Sequence, residues 1–175
     1  TLAGLAGQGR PVDDVIGIDV GSGDASAGML SDGARVLIPL EAPGLAEALA
    51  SGVASAAAPG ERPGERPDGS VAWYWIVHDD SAPEAGCLAA LLRGADRNPG
   101  AAVLVPKTVA WSDPGRLVGV GSRWAPGTPV VDPLEPNERD QGQYDVDRPV
   151  YAGDSAGMLV RADAWRDLDG MDPAV

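Results

Sequence analysis

An α/β fold with a mainly parallel sheet is predicted by three features of the sequence. Short apolar runs of strand length alternate with longer segments whose leucines recur every three or four residues. The strongest run, VAWYWIV at 71–77, is aromatic and β-branched with almost nothing polar, as suits a central strand covered on both faces. Composition permits such a core: 44% of the 175 residues are hydrophobic and 22% charged, close to globular averages and enough for one domain.

The elements follow in order. Leu2 and Leu5 share one face of a short helical segment, and VIGI at 15–18 has the length of a strand. Asp24 is placed to cap a helix over 24–30, and VLI at 36–38 reads as a second strand. Residues 44–57 form an alanine-rich helix with Leu45 and Leu49 four apart. The tandem GERP of PGERPGERPDGS, 59–70, predicts a flexible surface loop. After the aromatic strand and His78-Asp79-Asp80, Pro83 stands at a first helical position, and Leu88, Leu91 and Leu92 stripe a helix reaching Arg97. Residues 101–105 form another strand. From there to Val150 glycine and proline dominate, with short strands at 117–120 and near Val130. A last apolar stretch within 151–160 leads into a helix over 162–168, closed by Gly170 at the C′ position.

Several function classes are excluded early. With 13 Lys+Arg against 26 Asp+Glu, the formal charge is −13, and a polyanionic nucleic acid demands the opposite balance. A phosphorylated ligand would need a metal ion or backbone N–H groups instead. The lone Cys87 forms no internal disulfide and has no Cys or His neighbour at zinc spacing. No run approaches 18 apolar residues, so membrane association is expected only through regions outside these 175.

Ligands of open parallel sheets bind beyond the carboxyl ends of the strands, and acids stand at two such ends. Asp19 closes the first strand before Gly21-Ser22-Gly23-Asp24, and Asp79-Asp80 close the aromatic one. If those strands are neighbours, their carboxylates converge on one crevice able to hold a divalent cation, which can bridge to a diphosphate. Two adjacent acids at a strand end also make an ordinary solvated turn. The glycine turn offers another reading, a near miss to G-x-G-x-x-G with Glu41 where a ribose-binding acid of an NAD(P) domain would lie; Ser26 replaces the third glycine.

These same residues carry a family resemblance. LAGLAGQGRPVDDVIGIDVGSGDAS (2–26), APGLAEAL (42–49), VAWYWIVHDDSAPEAGCLAALL (71–92) and GDSAGMLVR (153–161) continuing to LDGMD (168–172) resemble, in order, the acid-rich "VDxGSxD" turn, the "NxGFAxAxN" helix start, the DxD-type strand and the "GxxMLVRRxxFxxxGGFD" element of family 2 glycosyltransferases. The resemblance implies a GT-A fold, a mixed and mainly parallel Rossmann-like sheet flanked by helices, and a bacterial enzyme of envelope or exopolysaccharide synthesis. It implies that Asp80 binds Mn²⁺ or Mg²⁺ under the donor diphosphate, that Asp79 contacts the ribose or the metal's outer shell, that Asp19 serves nucleoside recognition, and that Asp154 and Ser155 face the donor sugar. Val20 stands where many relatives carry a second acid or an Asn. The family's first strand and its acidic general base are not in the chain, so 1–175 reads as a partial domain, inactive alone, with the base expected beyond Val175. The implied reaction is inverting sugar transfer from a nucleotide-diphospho-sugar to a glycan or lipid-linked acceptor, in the cytoplasm or, in a longer parent protein, at the cytoplasmic face of the membrane. A non-catalytic nucleotide- or glycan-binding module of the same fold is the alternative.

Other candidates have less specific signals. His78 is either tuned by the acidic pair or a turn residue. Trp73, Tyr74 and Trp75 are expected in the core, as is Cys87. Trp111 and Trp124, in the loop-rich part, are available either to stack on an acceptor glycan or to pack, and DQGQYD at 140–145 is a candidate acceptor loop.

Overall fold

The structure, a computed structural model, describes residues 1–34, 36–39, 44–56, 64, 66, 68–124, 126–128 and 130–173. Glu41, Pro43, Val175 and most of the 59–70 segment lie outside these. The fold is mixed α/β. Helix α1 (Leu2–Ala6) precedes strand β1 (Ile16–Asp19), helix α2 (Ser26–Gly33) and strand β2 (Val36–Pro39); β1 and β2 pair in parallel, Ile16 opposite Val36 and Asp19 opposite Pro39. Helix α3 (Leu45–Ala56) lies against β1, and its buried Gly52 permits the approach, since a Cβ there would stand 2.7 Å from Ile18 Cδ1.

A three-stranded sheet forms the second layer. Strand β3 (Trp73–Trp75) is followed by helix α4 (Cys87–Arg97) and strand β4 (Val103–Leu104), and strand β7 (Leu159–Arg161) lies between β3 and β4, antiparallel to both. Strands β3 and β4 therefore run the same way, as a helical crossover requires, yet do not touch. A separate hairpin, β5 (Thr108–Ala110) and β6 (Asp113–Gly119), turns on Trp111 and Ser112. Helix α5 (Ala162–Asp167) leaves β7 directly.

The core divides across the β3–β7–β4 sheet because successive strand residues face opposite ways. Tyr74, Ile76 and Val160 join Trp165 of α5 and Leu49 and Val53 of α3 on one side. Trp73, Trp75 and Leu159 join Leu88 and Leu91 of α4 on the other. The aromatic strand is thus covered on both faces and its rings are core, as expected. Leu159, 1% exposed, is the best-buried large side chain.

Several expectations need correction. The sheet is not mainly parallel: among the described residues only β1 and β2 pair in parallel, and the other pairings are antiparallel. The central strand of the larger sheet is β7, with β3 paired on one side only. Helix α2 starts at Ser26, two residues beyond Asp24, because the Asp24 carboxylate accepts the Ser26 N–H at 2.9 Å and makes a turn before the helix. Helix α4 starts at Cys87; Pro83 lies before it, against Gly4, ahead of the turn at 85–86. At the end of α5 the left-handed C′ residue is Asp169 (φ 58°), with Gly170 (φ 86°) after it; Gly170 N–H donates to the Trp165 carbonyl and Asp169 N–H to that of Arg166, the two bonds of a Schellman close. Residues near Val130 form a single bridge, Val131 with Arg123, rather than a strand.

Candidate functional site

The carboxyl end of β3 opens into a turn. Asp79 and Asp80 are exposed there, and with Thr1, Ser81 and Trp111 they line an open cleft of about 320 Å³. The backbone of this turn is held from several directions. Ser81 Oγ donates to the His78 carbonyl at 2.9 Å. The Thr1 hydroxyl lies within hydrogen-bond reach of the carbonyls of His78 (3.1 Å), Asp79 (2.8 Å) and Ser81, and donates to one at a time. These bonds use backbone carbonyls only, and the two exposed carboxylates lie in the cleft lining.

Alongside runs the turn that feeds β7. Past the β3–β7 ladder, Ile76 N–H donates to the Met158 carbonyl and Gly157 N–H to that of Ile76, both at 2.8 Å, so 155–158 continues beside 75–78. Trp75 Nε1 donates to the Gly157 carbonyl at 3.0 Å. Gly157 has φ 90°, and a Cβ there would meet Pro106 Cγ at 2.8 Å, so this close approach needs glycine. At the end of the ladder Ser155 Oγ lies 3.0 Å from His78 Nε2. Asp154 is exposed and its carboxylate accepts the Ala156 N–H at 2.9 Å. The structure therefore brings the His78-Asp79-Asp80 and Asp154-Ser155 segments, far apart in sequence, to one end of one sheet.

Asp19 is elsewhere. It ends β1, whose sheet is not hydrogen-bonded to β3, and it does not line the Asp79–Asp80 cleft. It is 8% exposed, and its Oδ1 accepts the Ser22 N–H at 3.2 Å across the turn containing Gly21 (φ 87°). Hydrogen bonds from the Ser26 side chain and backbone hold the Asp24 carboxyl below its usual range. Two N–H groups that a glycine-rich turn would offer a pyrophosphate are thus already taken by carboxylates.

A divalent cation is tested by the donor set. Asp79 and Asp80 supply the hard oxygens that Mg²⁺ or Mn²⁺ prefers. Among the described residues no group of three His, Cys, Asp or Glu gathers to make a complete protein cage. That donor set fits a cation bound by one or two carboxylates and completed by phosphate oxygens and water, which is the usual habit of Mg²⁺.

The DQGQYD segment is pinned rather than loose. Lys107 Nζ pairs with Asp140 at 2.7 Å and with Asp145, and Asp140 also accepts the Gly142 N–H at 3.1 Å. Arg148 lies 4.2 Å over the Tyr144 ring. Burial lowers the Lys107 pKa, but the hydrogen bonds it donates to Asp140 and Asp145, with their negative charge, outweigh it and leave it raised; Lys107 in turn lowers that of Asp140. Burial raises the Cys87 thiol pKa, in keeping with an inert position beside Leu88.

Thr1 and Ser81 were not foreseen as site residues. Nothing about Thr1 marks it in sequence, because its partners lie some eighty positions away; Ser81 was legible only as the residue after the acidic pair. No helix among the described residues is long and apolar enough to cross a membrane. No protein-family model, no curated protein and no solved structure matches the chain.

Proposed function

We propose that the chain is the donor-binding part of a GT-A glycosyltransferase of family 2 character, one that transfers a sugar from a nucleotide-diphospho-sugar to a glycan or lipid-linked acceptor with inversion. The observation that carries this reading is the meeting of the Asp79-Asp80 turn with the Asp154-Ser155 turn, joined by the Ser155–His78 hydrogen bond at the end of the β3–β7 ladder. Two of the four resembling segments thereby meet at one end of the β3–β7 ladder.

In this reading Asp80 holds Mn²⁺ or Mg²⁺, Asp79 contacts the ribose or the metal's outer shell, and Asp154 and Ser155 face the donor sugar. When bound, the cation neutralises the diphosphate that a chain of charge −13 would otherwise repel. Asp19 serves nucleoside recognition from the end of β1. The catalytic base lies outside these residues, and the protein acts in bacterial envelope or exopolysaccharide synthesis at the cytoplasmic face of a membrane.

A dinucleotide-cofactor domain is favoured by one observation, the parallel β1–α2–β2 unit with its glycine turn. The carboxylates of Asp19 and Asp24, which occupy that turn's N–H groups, weigh against it. Calorimetric titration of the chain with UDP, dTDP and GDP, with and without Mg²⁺ or Mn²⁺, separates the readings. At least one diphosphate is expected to bind in a metal-dependent way, with Asp80→Ala weakening it by about tenfold or more. Binding that ignores both metal and substitution would overturn the role of Asp80. Thermal protection by NADH with no nucleoside diphosphate bound would restore the dinucleotide reading.

A further inference from the structure

Every tryptophan of this chain other than Trp111 has a ring partner or a core position. Trp73 and Trp75 pack beside Leu88 and Leu159, Trp165 meets Tyr74 edge to face at 6.1 Å, and Trp124 lies 6.0 Å from Tyr151. Trp111 is 79% exposed at the tip of the β5–β6 hairpin, and among the described residues its ring stacks on no aromatic group and under no guanidinium. The turn itself has no use for an indole: two-residue hairpin loops favour Gly, Asn and Asp. What Trp111 does meet is the cleft, whose lining it shares with Asp79, Asp80 and Ser81.

An exposed apolar plate on the wall of a polar cleft is complementary to one face of a sugar ring. The C–H face of a pyranose covers the indole and releases water from both, while its hydroxyls remain hydrated in the open cleft. A nucleobase would also stack, but recognition of the base is assigned to Asp19, which does not line this cleft. The donor sugar is assigned to Asp154 and Ser155, which do not line it either. We propose that Trp111 is the stacking platform for a saccharide ring of the acceptor, held on the Trp111 wall of the cleft and beside the Asp79 and Asp80 carboxylates that serve the donor. This assignment to the acceptor rests on the transferase reading above.

The test is NMR of the ¹⁵N-labelled chain, which shows one indole N–H resonance per tryptophan; that of Trp111 is identified by its absence in Trp111→Phe. Methyl pyranosides of glucose, galactose, mannose, rhamnose and N-acetylglucosamine at about 100 mM, and separately UDP, dTDP and GDP with Mg²⁺, are the probes. At least one pyranoside is expected to move the Trp111 resonance and leave that of Trp124 in place. Trp111→Ala is expected to weaken that pyranoside about tenfold, Trp111→Phe to restore part of the loss, and Trp124→Ala to change nothing. No pyranoside moving the resonance, or undiminished affinity in Trp111→Ala, overturns the proposal. So does a response to tetramethylammonium alone, which would mark a cation site. Pyranoside binding without any nucleoside-diphosphate binding keeps the stacking platform and overturns the transferase reading. Diphosphate binding without pyranoside binding does the reverse.

Discussion

Gln8 is buried, 8% exposed, and every hydrogen-bonding group of its amide is used on backbone. Nε2 donates to the carbonyls of Gly4 (2.9 Å) and Glu84 (2.8 Å), and Oε1 accepts the Leu88 N–H at 3.1 Å. Helix α4 has no side-chain cap from its own Gly86, so a residue from the end of α1 satisfies one of its free donors instead. Truncation leaves buried donors and acceptors without partners. Gln8→Ala is expected to cost about 1–3 kcal/mol in urea unfolding. An unchanged midpoint would mean that water replaces the amide at no cost.

At the level of elements, the Lys107 clip ties the start of β5 to the 140–145 loop. Because Lys107 depresses the Asp140 pKa, this contribution is complete above the unfolded aspartate value, about 3.9, and is lost as pH falls through the lower folded one. Acid titration followed at the Gly142 amide is expected to show the loop loosening in that window, and Lys107→Met to move the transition to higher pH, the Gly142 bond to Asp140 remaining. Elements with strong local signals were legible in the sequence: β1 from its isoleucines, α3 from its alanines, α4 from Leu88 and Leu91, the covered β3 from its rings. The β5–β6 hairpin was not. Its turn is Trp111-Ser112 rather than a glycine or asparagine pair, and β6 begins Asp-Pro-Gly, which reads as a breaker. The centrality of β7 was equally hidden, since a three-residue strand declares its neighbours only through long-range pairing. Of the candidate site, the acids at strand ends were legible from position alone. The approach of Ser155 to His78 was not, because it depends on that same pairing.

Over the whole molecule the acidic excess sets the response to salt. A net charge of −13 on 175 residues is self-repulsive, and most acids other than Asp19 are exposed or half-exposed. Raising NaCl from about 10 to about 150 mM shortens the Debye length from about 30 to about 8 Å. The thermal midpoint is expected to rise over that range, with repulsion screened more than the surface ion pairs are weakened. A fall would show that pairs such as Arg97–Asp147 and Arg66–Asp13 dominate instead.

The late position of β7 has a consequence for how the chain is made. Its Arg161 pairs with Trp73 and its Val160 with Val103, so the sheet has no middle until synthesis has passed Arg161. Until then Trp73, Trp75, Leu88 and Leu91 have only half their partners, and Leu159 is not there to close them in. Assembly is therefore slow and non-local, with aromatic strand edges open to wrong partners during synthesis. The strand that completes the core also delivers Ser155 to His78, so the candidate site exists only once that long-range pairing has formed.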